Sequence, residues 1–264
     1  MTAVQFIPGS SVAEYLSLVR RKNPLIHCVT NEVVQEITAN VLLAAGASPA
    51  MVVGEGEAED FVGICDGLSI NVGTPFSMRV QIMKAAARKA RELGKPWILD
   101  PVAAGALVWR DKIIFELMRT GPDVIRGNAS EIKFLAGQGS GGKGVDSMDS
   151  SDSALQAAVE LAEHYSSIVV VTGPTDYITD GTTTYSAEGG NPLITKVVGT
   201  GCSLSTLIAA FISSTDSKLE AAAACCAYVK KASEKAASDS KGPGSFHAAY
   251  LDALYNLKPE DFNA

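Results

Sequence analysis

Apolar residues recur at Leu204, Leu207, Ile208, Phe211 and Ile212, the i, i+3, i+4, i+7 and i+8 spacing of one buried helical face. Helical patterning also covers residues 10–22, Glu32–Gly46 (with Val33, Val34, Ile37 and Val41 on one side), Phe76–Leu93, Asn128–Ala136 and Asp152–His164. Gly46 suits a C-terminal cap. The last third reads as helices over 202–214, 217–238 and 245–256. Between the helical stretches lie short apolar runs that predict strands: Pro24–Val29, Ser48–Val52, Leu68–Val72, Trp97–Pro101, Val124–Arg126 and the β-branched Ile168–Thr172. Tyr177–Ala187 reads as a hairpin turning at Asp180-Gly181, and Gly137–Gly144 as a surface loop. Strands alternating with helices predict a mostly parallel sheet covered on both faces, a three-layer α/β/α arrangement. With no internal repeat and no long linker, the expectation is one α/β domain over residues 1–264.

Composition narrows the function classes. A formal charge of −7 argues against a nucleic-acid surface, so any phosphate site must be local, built from backbone amides and one or two basic side chains. Cys28, Cys65, Cys202, Cys225 and Cys226 have no paired metal spacing, and an odd count with two adjacent members does not suit a disulfide framework. Reduced thiols in a cytoplasmic setting are expected. The start of the chain lacks the charged and apolar regions of a signal peptide, and no apolar run has the length of a membrane span.

In open parallel sheets ligands bind beyond the carboxyl ends of the strands. Asn31 follows LIHCV, Asp100 follows WIL, Arg126 follows VI and Thr172 follows IVVV. Gly199 and Gly201 flank the start of the 202–214 helix, where free N–H groups and the helix dipole favour an anion. Cys202 stands there, and a helix start is expected to lower its thiol pKa; the plainer reading is a small buried filler behind a glycine turn. Asp100 reads either as a turn residue or as a hard oxygen ligand for Mg²⁺. Asn128 and Glu131 have capping-box spacing, which leaves Arg126, with its planar fork, as the phosphate candidate. His27 lies in an apolar strand and reads as a core residue, His164 as a helix-end cation, and Cys225-Cys226 as close helix packing.

The segments PLIHCVTN, TANVLLAAGASPAM, ILDPVAAGA, IRGNASEI, VVTGPTDYITDG and TKVVGTGCSLS stand in order along residues 24–205, and together they resemble the hydroxyethylthiazole kinase family, the thiamine-salvage branch of the ribokinase-like fold. The resemblance implies ATP-dependent phosphorylation of the primary alcohol of 4-methyl-5-(2-hydroxyethyl)thiazole, with Mg²⁺. Carried over by position, Met51 and Gly199 match substrate contacts and Asn31 lies in the thiazole pocket motif. Arg126 and Thr172 match ATP contacts, and Asp100 and Glu131 the acidic residues near the metal. Cys202 stands where most relatives of this fold carry a catalytic aspartate, beside the Gly199 and Gly201 amides of an anion hole. The family is similar to a homotrimer with sites at subunit interfaces, which implies that Asn31 and Met51 serve a neighbour's nucleotide site. Pro174 departs from the pattern, since many members carry an acidic residue after the Thr-Gly pair. Rival readings are a hydroxymethylpyrimidine or sugar kinase of the same fold, a thiol enzyme acting through Cys202, and a non-catalytic thiazole- or nucleotide-binding protein.

Overall fold

The computed structural model describes residues 3–138 and 151–262. The chain runs β1 (Val4–Phe6), α1 (Gly9–Lys22), β2 (Leu25–Val29), α2 (Gln35–Ala45), β3 (Ser48–Ala50), α3 (Glu57–Ile64), β4 (Gly67–Asn71), α4 (Ser77–Leu93) and β5 (Trp97–Asp100). It continues α5 (Val108–Met118), β6 (Val124–Asn128), α6 (Ala129–Leu135), α7 (Leu155–Tyr165), β7 (Ile168–Thr172), β8 (Asp176–Thr179), β9 (Thr184–Ala187), α8 (Thr200–Ile212), α9 (Lys218–Ser238) and α10 (Pro243–Asn256). The strands form one sheet in the order β1-β9-β8-β7-β6-β5-β4-β2-β3, in which only β8 runs antiparallel to its neighbours.

The central strands are apolar on consecutive positions because both faces are covered. Ile98, Val124 and Val170 face the core built with α1, α2, α8, α9 and α10, whereas Leu99, Ile125, Val169 and Val171 face the core built with α3 to α7. Each fully buried Leu, Ile, Val or Phe contributes about 1.5–3 kcal/mol relative to exposure. Ala221–Ala224, Cys225 and Cys226 are buried, so small side chains let α9 approach its neighbours closely, as the alanine-rich run suggests. All five cysteines are free thiols.

The structure departs from the sequence expectation in several places. β1, α3 and α5 were not anticipated: β1 is exposed throughout and held by backbone pairing to β9, and α3 fully buries only Ala58 and Val62. In α5, Val108 and Trp109 stay exposed, so no clean apolar stripe marks the helix. α2 starts at Gln35 rather than Glu32, because Asn31 Oδ1 accepts the Val33 N–H and holds residues 31–34 in a turn. β3 ends at Ala50 rather than Val52, and α8 begins at Thr200. The hairpin is present, with Asp180 Oδ1 accepting the Thr182 and Thr183 N–H groups. Of the expected loop Gly137–Gly144, residues 139–144 lie outside the described residues.

This topology sets the site. β2, β4, β5, β6 and β7 are parallel neighbours, so their carboxyl ends share one edge. Register pairs Asn71 with Asp100 and Asn128 with Thr172 across that edge. α8 packs on β2, β4 and β5 and begins over the same edge.

Candidate active site

Gly199 takes a left-handed conformation, φ +88°, and a Cβ there would lie 2.6 Å from Ile37 Cγ2 and 2.9 Å from Val34 Cγ1. Only glycine meets both constraints without strain. Thr200 Oγ1 donates to the Ile194 and Val197 carbonyls at 3.0 and 3.2 Å, pinning the preceding turn. The first bond of α8 runs from Ser203 N to Gly199 O at 2.8 Å, so the N–H groups of Thr200, Gly201 and Cys202 lie ahead of the intrahelical ladder. A Cβ on Gly201 would sit 3.1 Å from both Nη1 and Nη2 of Arg126. The missing side chain therefore lets a guanidinium lie against the first turn of α8. Two positive features, a helix start and an arginine, converge where an anion would be stabilised.

Arg126 Nη2 donates to Thr172 Oγ1 at 2.7 Å, and Nη1 stands 3.9 Å from Asp100 Oδ2. Asp100 is buried; its Oδ2 accepts from Asn71 Nδ2 at 2.7 Å and from Ser205 Oγ, one turn along α8 from Gly201, at 2.9 Å. Asn71 Oδ1 in turn accepts from Asn31 Nδ2 at 2.8 Å and from the Gly73 N–H at 2.9 Å. Asn31 Nδ2 also points at Cys202 Sγ, 3.7 Å away. One run of hydrogen bonds, with the Arg126–Asp100 ion pair as its one looser link, thus joins Thr172, Arg126, Asp100, Asn71, Asn31 and Cys202 across five strand ends and α8. Asn71 and Ser205 were missed by sequence reading. The signal for Asn71 was available, since a polar residue ends LSIN as Asp100 ends WILD.

Glu131 caps α6 in the expected box: Oε2 accepts the Asn128 N–H at 2.8 Å and Asn128 Oδ1 accepts the Glu131 N–H at 3.0 Å. Its Oε1 accepts the Ala103 N–H at 2.7 Å, which ties α6 to the loop after Asp100. Burial raises the Asp100 carboxyl, opposed by Arg126 and by the Ser205 and Asn71 hydrogen bonds. Burial and then the Asp100 charge raise Glu131. Two buried carboxylates, with the Asp100 charge disfavouring that of Glu131, suit a hard cation with one or two carboxylate ligands, completed by phosphate and water oxygens. Among the described residues no cluster of three or more His, Cys, Asp or Glu side chains gathers for a metal ion.

One expectation is corrected here. The Cys202 thiol is not lowered by the helix start: burial, then the Asp100 charge, pushes it up to about 12 against the favourable Arg126 field. Asn31 joins the Cys202 of its own chain. Met51 follows β3, an edge strand of the sheet, half-buried against the core of α2 and α8. His27 is buried, with Nε2 2.7 Å from the Val52 carbonyl and its ring edge-on to Phe61, as its apolar strand implies.

Comparison with known proteins places almost the whole chain among its relatives. The sequence model of the hydroxyethylthiazole kinase family matches residues 16–260. The chain is 51% identical over 254 residues to hydroxyethylthiazole kinase of Serratia proteamaculans, covering 96% of each chain. It is 53% identical over 251 residues to that of Klebsiella pneumoniae, covering 95% of this chain and 97% of the other. Among solved structures, hydroxyethylthiazole kinase from Pyrococcus horikoshii superposes with a TM-score of 0.86 at 38% identity, over 94% of this chain and 93% of that one. A ribokinase-like superfamily protein from Enterococcus faecalis shares the fold, with a TM-score of 0.69 at 13% identity over 97% of each chain. A family match over residues 16–260 and identity near one half along almost the whole length show that the chain belongs to the hydroxyethylthiazole kinase family.

Proposed function

We propose that this protein transfers the γ-phosphoryl group of ATP to the primary hydroxyl of 4-methyl-5-(2-hydroxyethyl)thiazole, as a cytoplasmic enzyme of thiamine salvage. The observation that carries the reading is the meeting of Arg126 with the Gly201 turn, 3.1 Å from where a side chain would begin, beside Asp100 and Cys202. Phosphoryl transfer asks mainly for alignment and for positive or dipolar groups around the moving oxygens. In this reading Arg126 and Thr172 hold the nucleotide, and the Gly199–Cys202 amides stabilise charge on the transferring group without reorganising. Asp100 and Glu131 would hold Mg²⁺, which when bound neutralises phosphate charge. Asn31 and Gly199 contact the thiazole, and Met51 offers a polarisable thioether to a flat sulfur heterocycle.

A thiol pushed up to about 12 is protonated at neutral pH. Cys202 therefore orients the alcohol and does not deprotonate it. As the new O–P bond forms and the bridge to the leaving diphosphate breaks, the alcohol's proton passes to the transferring phosphoryl oxygens. We further infer a homotrimer with sites at the interfaces. Its support is the exposure of Val33, Phe76, Leu107, Val108, Trp109 and Val198, all on segments that leave the sheet's carboxyl edge or precede α8.

A coupled assay for ADP release, with and without the hydroxyethylthiazole, tests the reaction. ADP should appear only with the alcohol, and mass spectrometry should find the alcohol's phosphate ester. ATP consumption that ignores the alcohol, with no ester formed, would overturn the reading.

A further inference from the structure

Thr172 is followed by Gly173, Pro174 and Thr175 before β8 begins at Asp176, and this loop borders the nucleotide side of the proposed site. Lys230 reaches it from the middle of α9, with only 11% of its side chain exposed. Its Nζ donates to the Gly173 carbonyl at 2.6 Å and the Pro174 carbonyl at 2.7 Å, and stands 3.2 Å from Asp176 Oδ1. That same carboxylate oxygen accepts the Gly173 N–H at 2.9 Å. An ammonium has three protons, and these three acceptors take them all.

The direction of those carbonyls has a consequence for the opposite face of the loop. In a trans peptide, the C=O of one residue and the N–H of the next point to opposite sides. With the Gly173 and Pro174 carbonyls turned inward to Lys230, the nitrogen edges of the next two residues face outward. The first of these is Pro174, which has no N–H and a fixed φ; the second is Thr175, which does have one. A phosphate approaching the outward face of this loop would meet the Thr175 N–H in place of two carbonyl oxygens. A neutral or acidic side chain at position 230 would leave those carbonyls free to rotate towards the anion and repel it.

We infer that Lys230 is a positioning residue for the nucleotide: it holds the carbonyls of residues 173 and 174 away from the phosphates, so that Thr172 and the Thr175 N–H are presented to them. The inference rests on the reading of Thr172 as a nucleotide contact. It also gives Pro174 a place, because a residue without an N–H costs nothing where that edge faces outward, and its ring stiffens the turn.

Lys230→Met combined with Asp176→Asn removes both buried charges together and leaves neither unpaired. This double variant should raise KM for ATP at least about tenfold while moving KM for the alcohol less than about twofold, and Thr172→Val should raise KM for ATP as well. If Thr172→Val raises it and the folded double variant does not, Lys230 merely braces the hairpin and the inference falls. If Thr172→Val leaves KM for ATP alone, the nucleotide reading of Thr172 falls and takes the inference with it. Hydrogen exchange on the unaltered protein needs no variant: ATP should slow exchange at the Thr175 amide at least about fivefold, and unchanged exchange there overturns the inference even where the double variant fails to fold.

Discussion

Cys202 shows how far a helix start can be outvoted by its surroundings. Three N–H groups and Arg126 favour a thiolate, yet burial and the nearby Asp100 charge push the thiol up to about 12. The sign follows from the charged form being the anion: burial and a neighbouring carboxylate both disfavour it, so the proton stays on through the whole neutral range. The profile of kcat against pH should therefore show no step from this thiol between pH 6 and 9, and iodoacetamide should react with it slowly. Cys202→Ser should keep kcat within about tenfold, against the 10²–10⁴-fold typical when a genuine general base is removed. A loss of about a thousandfold, or a thiol step near neutrality, would restore Cys202 as the base. Nothing in GTGCS shows this, because the opposing effects come from residues far away in sequence. Lys230 was hidden for a similar reason: in an alanine- and lysine-rich helix it reads as one more solvated charge, and only the packing of α9 against β8 buries it.

At the scale of the element, α8 and the loop before it were legible because glycine spacing and apolar periodicity are both local. Asn31, Asp100, Arg126 and Thr172 were legible because a parallel sheet puts successive strand ends on one edge. Elements without an apolar stripe, β1 and α5 among them, were not. The two glycines before Cys202 look alike in sequence but have different physical duties. Gly199→Ala would force a left-handed φ on a residue with a side chain and drive its Cβ into Ile37 and Val34. It should cost about 1–3 kcal/mol of stability and lower the melting temperature by several degrees. Gly201→Ala meets the guanidinium of Arg126, the far end of a flexible side chain, with both Nη atoms at 3.1 Å. The fold should survive with its melting temperature nearly unchanged. The displaced guanidinium should lower kcat/KM for ATP about 10–100-fold, the range of one lost charge-assisted contact. Equal melting losses in both variants, or full activity in Gly201→Ala, would contradict this division of roles.

At the scale of the molecule, the polar run from Thr172 to Cys202 lies within one chain, whereas Met51 follows β3 at an edge of the sheet. A Met51 that lines a neighbour's cleft would reconcile these two facts, and the exposed Val33, Val198 and Trp109 around the sheet's carboxyl edge are the kind of surface a second copy would cover. Subunit mixing distinguishes a shared site from a self-contained one. Arg126→Ala should disable the phosphate side, and Met51→Glu should place a charge in the thiazole cleft; each homotrimer alone should be nearly inactive. In a cyclic trimer assembled from equal amounts of the two, three quarters of the trimers are mixed, and each mixed trimer has one interface that joins an intact Arg126 to an intact Met51. Refolding the two variants together should therefore recover about a quarter of the wild-type activity. If Met51 served its own chain's Arg126, every site would carry one defect or the other, and mixing would recover nothing. A particle mass three times 27.5 kDa by light scattering is the companion measurement, and a monomer of full activity would show that Met51 contributes within its own subunit.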